Sequence, residues 1–272
     1  MLRRDSEGQH SFANTIFKQF SIFDLQGLLR EQGAYTCGVE AYEVSDFEKI
    51  NFQLLDKGSE KARYQLCKSL KIPYCIIIFS KKTKCYRIYE ANNNDTMDYT
   101  AVHEFKTNGF IEWWREKQNF QQIKPMHEAR SRIANSQIDI DLFANQLAWG
   151  VNLDGFTLDL ESQKVSAIFE KRICAYKPPN YTVENYDPNK FFHYRGGDYA
   201  SWNILFELSK KLRVPLCLFT FDKSSKEIFG ATIIENVCPK KGLTYRKNIK
   251  PFKNLFSNKN SEFNSFLNQL YG

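Results

Sequence analysis

The residues best suited to chemistry are two carboxylates and two cations on otherwise apolar segments near the middle of the chain. Asp154 sits among Val151, Leu153, Phe156 and Leu158, while Glu170 follows Ala167, Ile168 and Phe169 and precedes Lys171 and Arg172. A carboxylate on an apolar strand loses hydration, and a shared divalent cation compensates two such groups at once. Side chains alternate across a strand, so Glu170 and Arg172 are expected on one face and Lys171 on the other, unless a bulge re-aims it. Two acids and a cation on neighbouring strands suit metal-assisted hydrolysis of a phosphodiester. The carboxylates hold Mg²⁺ (or Mn²⁺), the metal acidifies its water, and the cation places that water or stabilises the phosphate. The competing reading is structural: Asp154-Gly155 as a turn, and Glu170, Lys171 and Arg172 as a solvated strand end.

The elements that must position these groups are legible from periodicity. A helix is expected over residues 138–149. A hairpin follows, with strands at 150–160 and 165–173 around a turn at 161–164; a helix over 199–212 and a strand over 216–221 complete the segment. Asp159 and Glu161 read as solvent-facing charges at the hairpin end, and Asp141 as an exposed residue of the preceding helix. Tyr199 and Asn203 lie four apart on one helix face and, from spacing alone, read as helix-start residues.

At this point the chain resembles the PD-(D/E)XK nuclease superfamily. The residues that carry the resemblance are Asn152-Leu153-Asp154-Gly155-Phe156 followed by Ala167-Ile168-Phe169-Glu170-Lys171-Arg172. They are similar to that family's helix, Asp-bearing strand, strand bearing hydrophobic-Glu-x-Lys, helix and strand. Residues 136–235 are covered. The resemblance implies an α/β fold class, with a restriction-endonuclease-like core (a mixed sheet flanked by helices) in the C-terminal half. It also implies a Mg²⁺- or Mn²⁺-dependent endonuclease acting on nucleic acid, DNA before RNA by the habit of the superfamily. Asp154 and Glu170 would be the metal ligands and Arg172 and Lys171 the cations, with Tyr199 and Asn203 of the following helix supporting the site from behind. Two departures stand out: no proline precedes Asp154, and Arg172 occupies the usual lysine position. Arginine is permanently charged and bidentate, so it holds a phosphate but does not share a proton near neutral pH. The alternative function is therefore a catalytically inactive, nuclease-like module for nucleic-acid binding or complex assembly.

The N-terminal half carries a related pattern. Leu66, Lys68, Leu70, Pro73, Cys75, Phe79, Lys81 and Lys84 recur 142 residues later as Leu208, Lys210, Leu212, Pro215, Cys217, Phe221, Lys223 and Lys226, eight identities in a nineteen-residue window. A duplicated α/β unit is expected, with its first copy a degenerate nuclease-like domain over residues 1–125 and the second over 126–272. In that first copy Leu54-Leu55-Asp56-Lys57 echoes Ile168-Phe169-Glu170-Lys171, and Glu40 is the nearest counterpart to the missing aspartate. Helices are expected over residues 12–29 and 110–120, and a loop over 91–100. Trp113 and Trp114 read as core packing.

The composition gives a net charge of +7, which favours a polyanionic partner without requiring one. Lys240, Lys241, Arg246, Lys247 and Lys250, interleaved with Tyr245 and Phe252, are the strongest candidates for a phosphate-binding surface, against a reading as solubilising charge. Seven cysteines without a CxxC pair read as reduced thiols. No run reaches the roughly 18 apolar residues of a membrane helix, and the first eleven residues are polar. The expectation is a cytoplasmic protein with no membrane partner, in which a homodimer or larger assembly would let two sites cut two strands.

Overall fold

The computed structural model describes residues 3–4, 11–92, 97–118, 136–159, 161–174, 182–192, 198–222, 228–246, 249–253 and 261–270. In chain order the first elements are β1 (Arg3–Arg4), α1 (Ser11–Gln19), β2 (Phe23–Glu31), β3 (Ala34–Val44), α2 (Lys57–Leu70), β4 (Tyr74–Ser80), β5 (Cys85–Asn92), β6 (Asp98–Lys106) and α3 (Thr107–Lys117). They are followed by α4 (Gln137–Ala144), β7 (Val151–Leu158), β8 (Val165–Ile173), α5 (Asn189–Phe192), α6 (Asp198–Leu212), β9 (Leu216–Phe221), β10 (Ile228–Cys238), β11 (Gly242–Tyr245), β12 (Lys250–Lys253) and α7 (Ser261–Leu270). The protein is a mixed α/β fold whose strands are mostly antiparallel and flanked by helices.

Two compact units emerge. The first comprises Met1–Glu7 and Leu25–Asn152, the second Gly8–Asp24 and Leu153–Gly272. The expected boundary near residues 124–126 lies outside the described residues, and the units divide instead at Asn152/Leu153. The reason is where two helices bury their apolar faces. On α4, Ile138 and Leu142, with Leu147 beyond its end, join the first unit's core beside Phe110, Trp113 and Trp114. Its Asp141, expected to be exposed, is buried and accepts from the Tyr86 hydroxyl at 2.5 Å and from Gln137 Nε2 at 2.9 Å. Helix α1 belongs to the second unit, where Phe17 meets Phe169 and Phe219 edge-on at 5.8 and 4.8 Å. Each unit thus contains the helix that precedes the other's hairpin.

Both units repeat one order. In the first, β2 pairs antiparallel with β3, α2 crosses over, β4 pairs parallel with β3, and β5 returns antiparallel to β4. In the second, β7, β8, α6, β9 and β10 do the same. Even the junctions match: Gly38 N donates to Pro73 O and Ile168 N to Pro215 O, each at 3.0 Å. Helices α2 and α6 are both followed by a left-handed residue, Lys71 (φ 59°) and Arg213 (φ 59°), in a tight C-terminal cap. Asp56 caps the start of α2 by accepting from Gly58 N at 3.0 Å, so it is a helix cap and no counterpart of Glu170.

The helix expected over residues 12–29 ends at Gln19. Ser21 turns left-handed (φ 53°), Ile22 N bonds Phe17 O at 2.8 Å, and the rest becomes β2. Gly27 weakens helix propensity there, and the ladder to β3 offers its backbone partners instead. Helix α4 stops early in the same way, with Gln146 at φ 58° and Leu147 N bonded to Leu142 O at 2.9 Å. Of the expected loop over 91–100, residues 91–92 end β5 and residues 98–100 begin β6, Met97 belongs to neither strand, and residues 93–96 lie outside the described residues. Trp113 and Trp114 are buried in the first core, as their reading as packing residues anticipates.

Candidate functional site

Strands β7 and β8 carry the candidate group. Their ladder pairs Gly155 with Phe169 and Phe156 with Ile168, so Asp154 and Glu170 stand one residue beyond the Gly155–Phe169 pair on each strand. Gly155 has no room for a side chain. A Cβ there would lie 2.5 Å from Phe17 Cε2 and 2.8 Å from Ile22 Cγ2, which places Gly155 and Phe169 on the face covered by α1. Alternation then puts Asp154, Glu170 and Arg172 on the opposite face, the one covered by α6.

The contacts agree with that assignment. Arg172 Nη2 pairs with Glu170 Oε1 at 2.9 Å, with side chains 25% and 13% exposed. The Arg172 guanidinium lies over the Trp202 ring, 5.3 Å from its centroid. Asp154 Oδ2 accepts from the backbone amide of Lys171 at 2.9 Å, which fixes the carboxylate beside the Glu170 strand. The Lys171 side chain is not part of this group. Its ammonium donates to Asn14 Oδ1 at 3.0 Å and sits 5.2 Å from the centre of the Phe17 ring, on the α1 face. The parallel register of β8 with β9 is regular from Ile168 through Ile173, so no bulge turns Lys171 around.

Trp202 is the α6 residue that contacts Arg172. Asn203 bonds Glu207 Oε1 at 2.9 Å along the exposed side of the helix, and Tyr199 meets Phe192 edge-on at 5.7 Å. Trp202 shares the buried stripe of α6 with Leu205, Phe206 and Ser209, so helical periodicity alone reads it as core. Its second role follows only from what β8 places beneath it.

The donor set suits a hard divalent ion. Asp154 and Glu170 offer carboxylate oxygens from adjacent strands, and Mg²⁺ is commonly held by one or two carboxylates with water completing its shell. Among the described residues no group of three or more His, Cys, Asp or Glu side chains gathers as a metal site.

The basic residues are spread along the second unit's sheet. Lys240 and Lys241 are exposed at the turn between β10 and β11, where the ladder ends at Cys238–Gly242. Lys250 is on β12, paired with Ala231, seven residues back along β10, or roughly 23 Å of strand. Arg246 is exposed, 3.8 Å from Glu235, and Lys247 lies outside the described residues. The run that is contiguous in sequence is therefore divided between the two ends of β10. Among the described residues, no helix is long and apolar enough to cross a membrane.

No family model matches the chain, and no curated protein does. A solved structure, that of a sex pheromone staph-cAM373 precursor, aligns at 11% identity over 91% of this chain and 90% of its own, with a TM-score of 0.16. At that score it carries no argument about fold or function.

Proposed function

We propose that the second unit is a metal-dependent nuclease domain of restriction-endonuclease-like type, hydrolysing phosphodiester bonds in DNA. The observation that carries this reading is the grouping of Asp154, Glu170 and Arg172 on one face of the β7–β8 hairpin, followed by a crossover helix and a parallel strand. Asp154 and Glu170 would hold Mg²⁺ or Mn²⁺, which supplies Lewis acidity and an activated water at neutral pH. The Lys171 amide holds the Asp154 carboxylate beside the strand that carries Glu170. Arg172, backed by the Trp202 ring, presents a planar cation suited to two oxygens of one phosphate. Lys240, Lys241 and Lys250 add positive charge for the backbone of a longer strand.

One observation favours a second reading. Glu170 is already paired with a cation of its own chain at 2.9 Å, and a permanently charged arginine neutralises a carboxylate without any metal. On that reading the unit is a silent, nuclease-like nucleic-acid-binding module. The deciding assay incubates supercoiled plasmid and single-stranded DNA with Mg²⁺, Mn²⁺ or EDTA, beside the Asp154→Asn and Glu170→Gln variants. Nicking that needs metal and disappears in both variants supports the nuclease. Binding in a gel shift without metal-dependent cutting supports the silent module, and full activity in either variant removes these residues from the chemistry.

A further inference from the structure

The first unit holds the same hairpin, and the residues at the corresponding positions are a different set. Gly27 pairs with Val39 as Gly155 pairs with Phe169, so Gln26 occupies the Asp154 position and Glu40 the Glu170 position. The parallel register gives the same answer, with Glu40 beside Ile76 and Glu170 beside Leu218, 142 residues further on. A hydrogen bond repeats as well: Ala41 N donates to Gln26 Oε1 at 2.6 Å, as Lys171 N donates to Asp154 Oδ2 at 2.9 Å. Tyr42 then stands in place of Arg172. On the crossover helix Glu60 stands in place of Trp202, and the contact between these two positions persists as a Tyr42 hydroxyl bond to Glu60 Oε1 at 3.4 Å.

We propose that the first unit carries a silenced copy of the second unit's site, in which the Arg63 guanidinium has taken over the role of the metal cation. Arg63 Nε lies 3.3 Å from Glu40 Oε1, and Nη1 lies 2.5 Å from Glu60 Oε1. The other Glu60 oxygen accepts from Tyr74 at 2.6 Å and from Tyr99 at 2.9 Å. Burial and the Glu60 charge push the Tyr74 phenol well up, which keeps it a donor. Glu40, Glu60 and Arg63 are 0%, 2% and 4% exposed, so this is a closed cluster with no face toward a substrate. Replacing the aspartate by Gln26 removes one negative charge and leaves two carboxylates around one fixed cation. A guanidinium neither acidifies a water nor exchanges a proton near neutral pH, so this cluster supplies no metal-activated water. Its cluster instead ties β3 to α2, β4 and β6. This inference rests on the shared register and on the reading of Asp154 and Glu170 as a metal-holding pair, not on cleavage by the second unit.

The test uses the full chain. Mn²⁺ binding is counted by electron paramagnetic resonance in wild type and in Asp154→Asn/Glu170→Gln, whose first unit is untouched. The double variant is expected to bind no stoichiometric Mn²⁺; a retained site that Glu40→Gln then removes overturns the proposal. If wild type itself binds none, the metal reading of the second unit fails and with it the description of the first as its silenced copy, while the second arm still decides whether Arg63 holds the two carboxylates. The second arm is thermal unfolding. Arg63→Met is expected to lower Tm by about 10 °C, because two buried carboxylates lose their cation, and Glu40→Gln/Arg63→Met to recover half of that loss or more. An Arg63→Met chain that melts like wild type, or a double variant with no recovery, refutes the guanidinium's role.

Discussion

Replacing Arg172 separates its structural work from its chemistry. Its guanidinium meets Glu170 at 2.9 Å with 25% and 13% of the two side chains exposed. Breaking a fully buried pair costs about 3–5 kcal/mol and an exposed one about 0–1, so Arg172→Met, which takes the guanidinium away from a mostly buried Glu170, costs about 2 kcal/mol. In a chain of this size that lowers Tm by about 6 °C. If the same guanidinium also stabilises charge on the phosphate, its removal slows plasmid nicking by about 10²–10³ at saturating Mg²⁺. Arg172→Lys keeps the charge and loses the planar stack on Trp202, so it retains cleavage within about tenfold of wild type while losing part of the stability. Differential scanning calorimetry and a nicking time course on the same preparations read the two effects independently. An Arg172→Met chain that nicks at the wild-type rate refutes the catalytic assignment, and one that also keeps its Tm refutes the energetic argument.

Gly155→Ala is expected to destabilise the chain by about 1–3 kcal/mol, because its Cβ would press against Phe17 and Ile22; an unchanged urea midpoint would contradict the packing of α1 against β7. Tyr86→Phe removes the shortest hydrogen bond to buried Asp141 and, among the described residues, leaves Gln137 and Thr107 as side-chain donors, a loss of about 1–3 kcal/mol in urea unfolding; no loss would mean that Asp141 is otherwise satisfied. The cysteines differ in acidity. The amides of Lys241 and Lys240 hold the Cys238 thiol below its ordinary value, whereas burial pushes Cys174 up to about 12. Thiolate therefore forms at lower pH on Cys238, and iodoacetamide followed by mass spectrometry should label it first, its rate already rising below the pH at which an ordinary thiol ionises. Cys174 should label only after unfolding, and equal rates at the two would refute this ordering.

Much of the second unit was legible because its signals are local. Period-two alternation separates Glu170 and Arg172 from Lys171, and the structure shows that separation with Arg172 on Trp202 and Lys171 on Asn14. The recurrence of proline, cysteine and phenylalanine 142 residues apart corresponds to one helix-to-strand junction built twice, with the same 3.0 Å bond at Pro73 and Pro215. Strand β6 and the early end of α1 were hidden for the opposite reason. A polar edge strand has no buried face to set a period, and β2 became a strand because β3 offers it a ladder.

In the second unit the amino-acid sequence by itself determined which segments become hairpin, crossover helix and parallel strand, and which face of β8 each charged residue takes, since turn chemistry and side-chain alternation act over a few residues. Only the tertiary structure decided which partner each element found. An amphipathic helix encodes that it buries a face and not against what, so α1 packing on Phe169 and α4 packing on Phe110 could not be read from periodicity. The same holds for the two glutamates at the shared position. Glu40 is sealed by Arg63, twenty-three residues away and on another element, and Glu170 is met by Arg172 on its own strand, a difference that resides in the folded packing around each carboxylate.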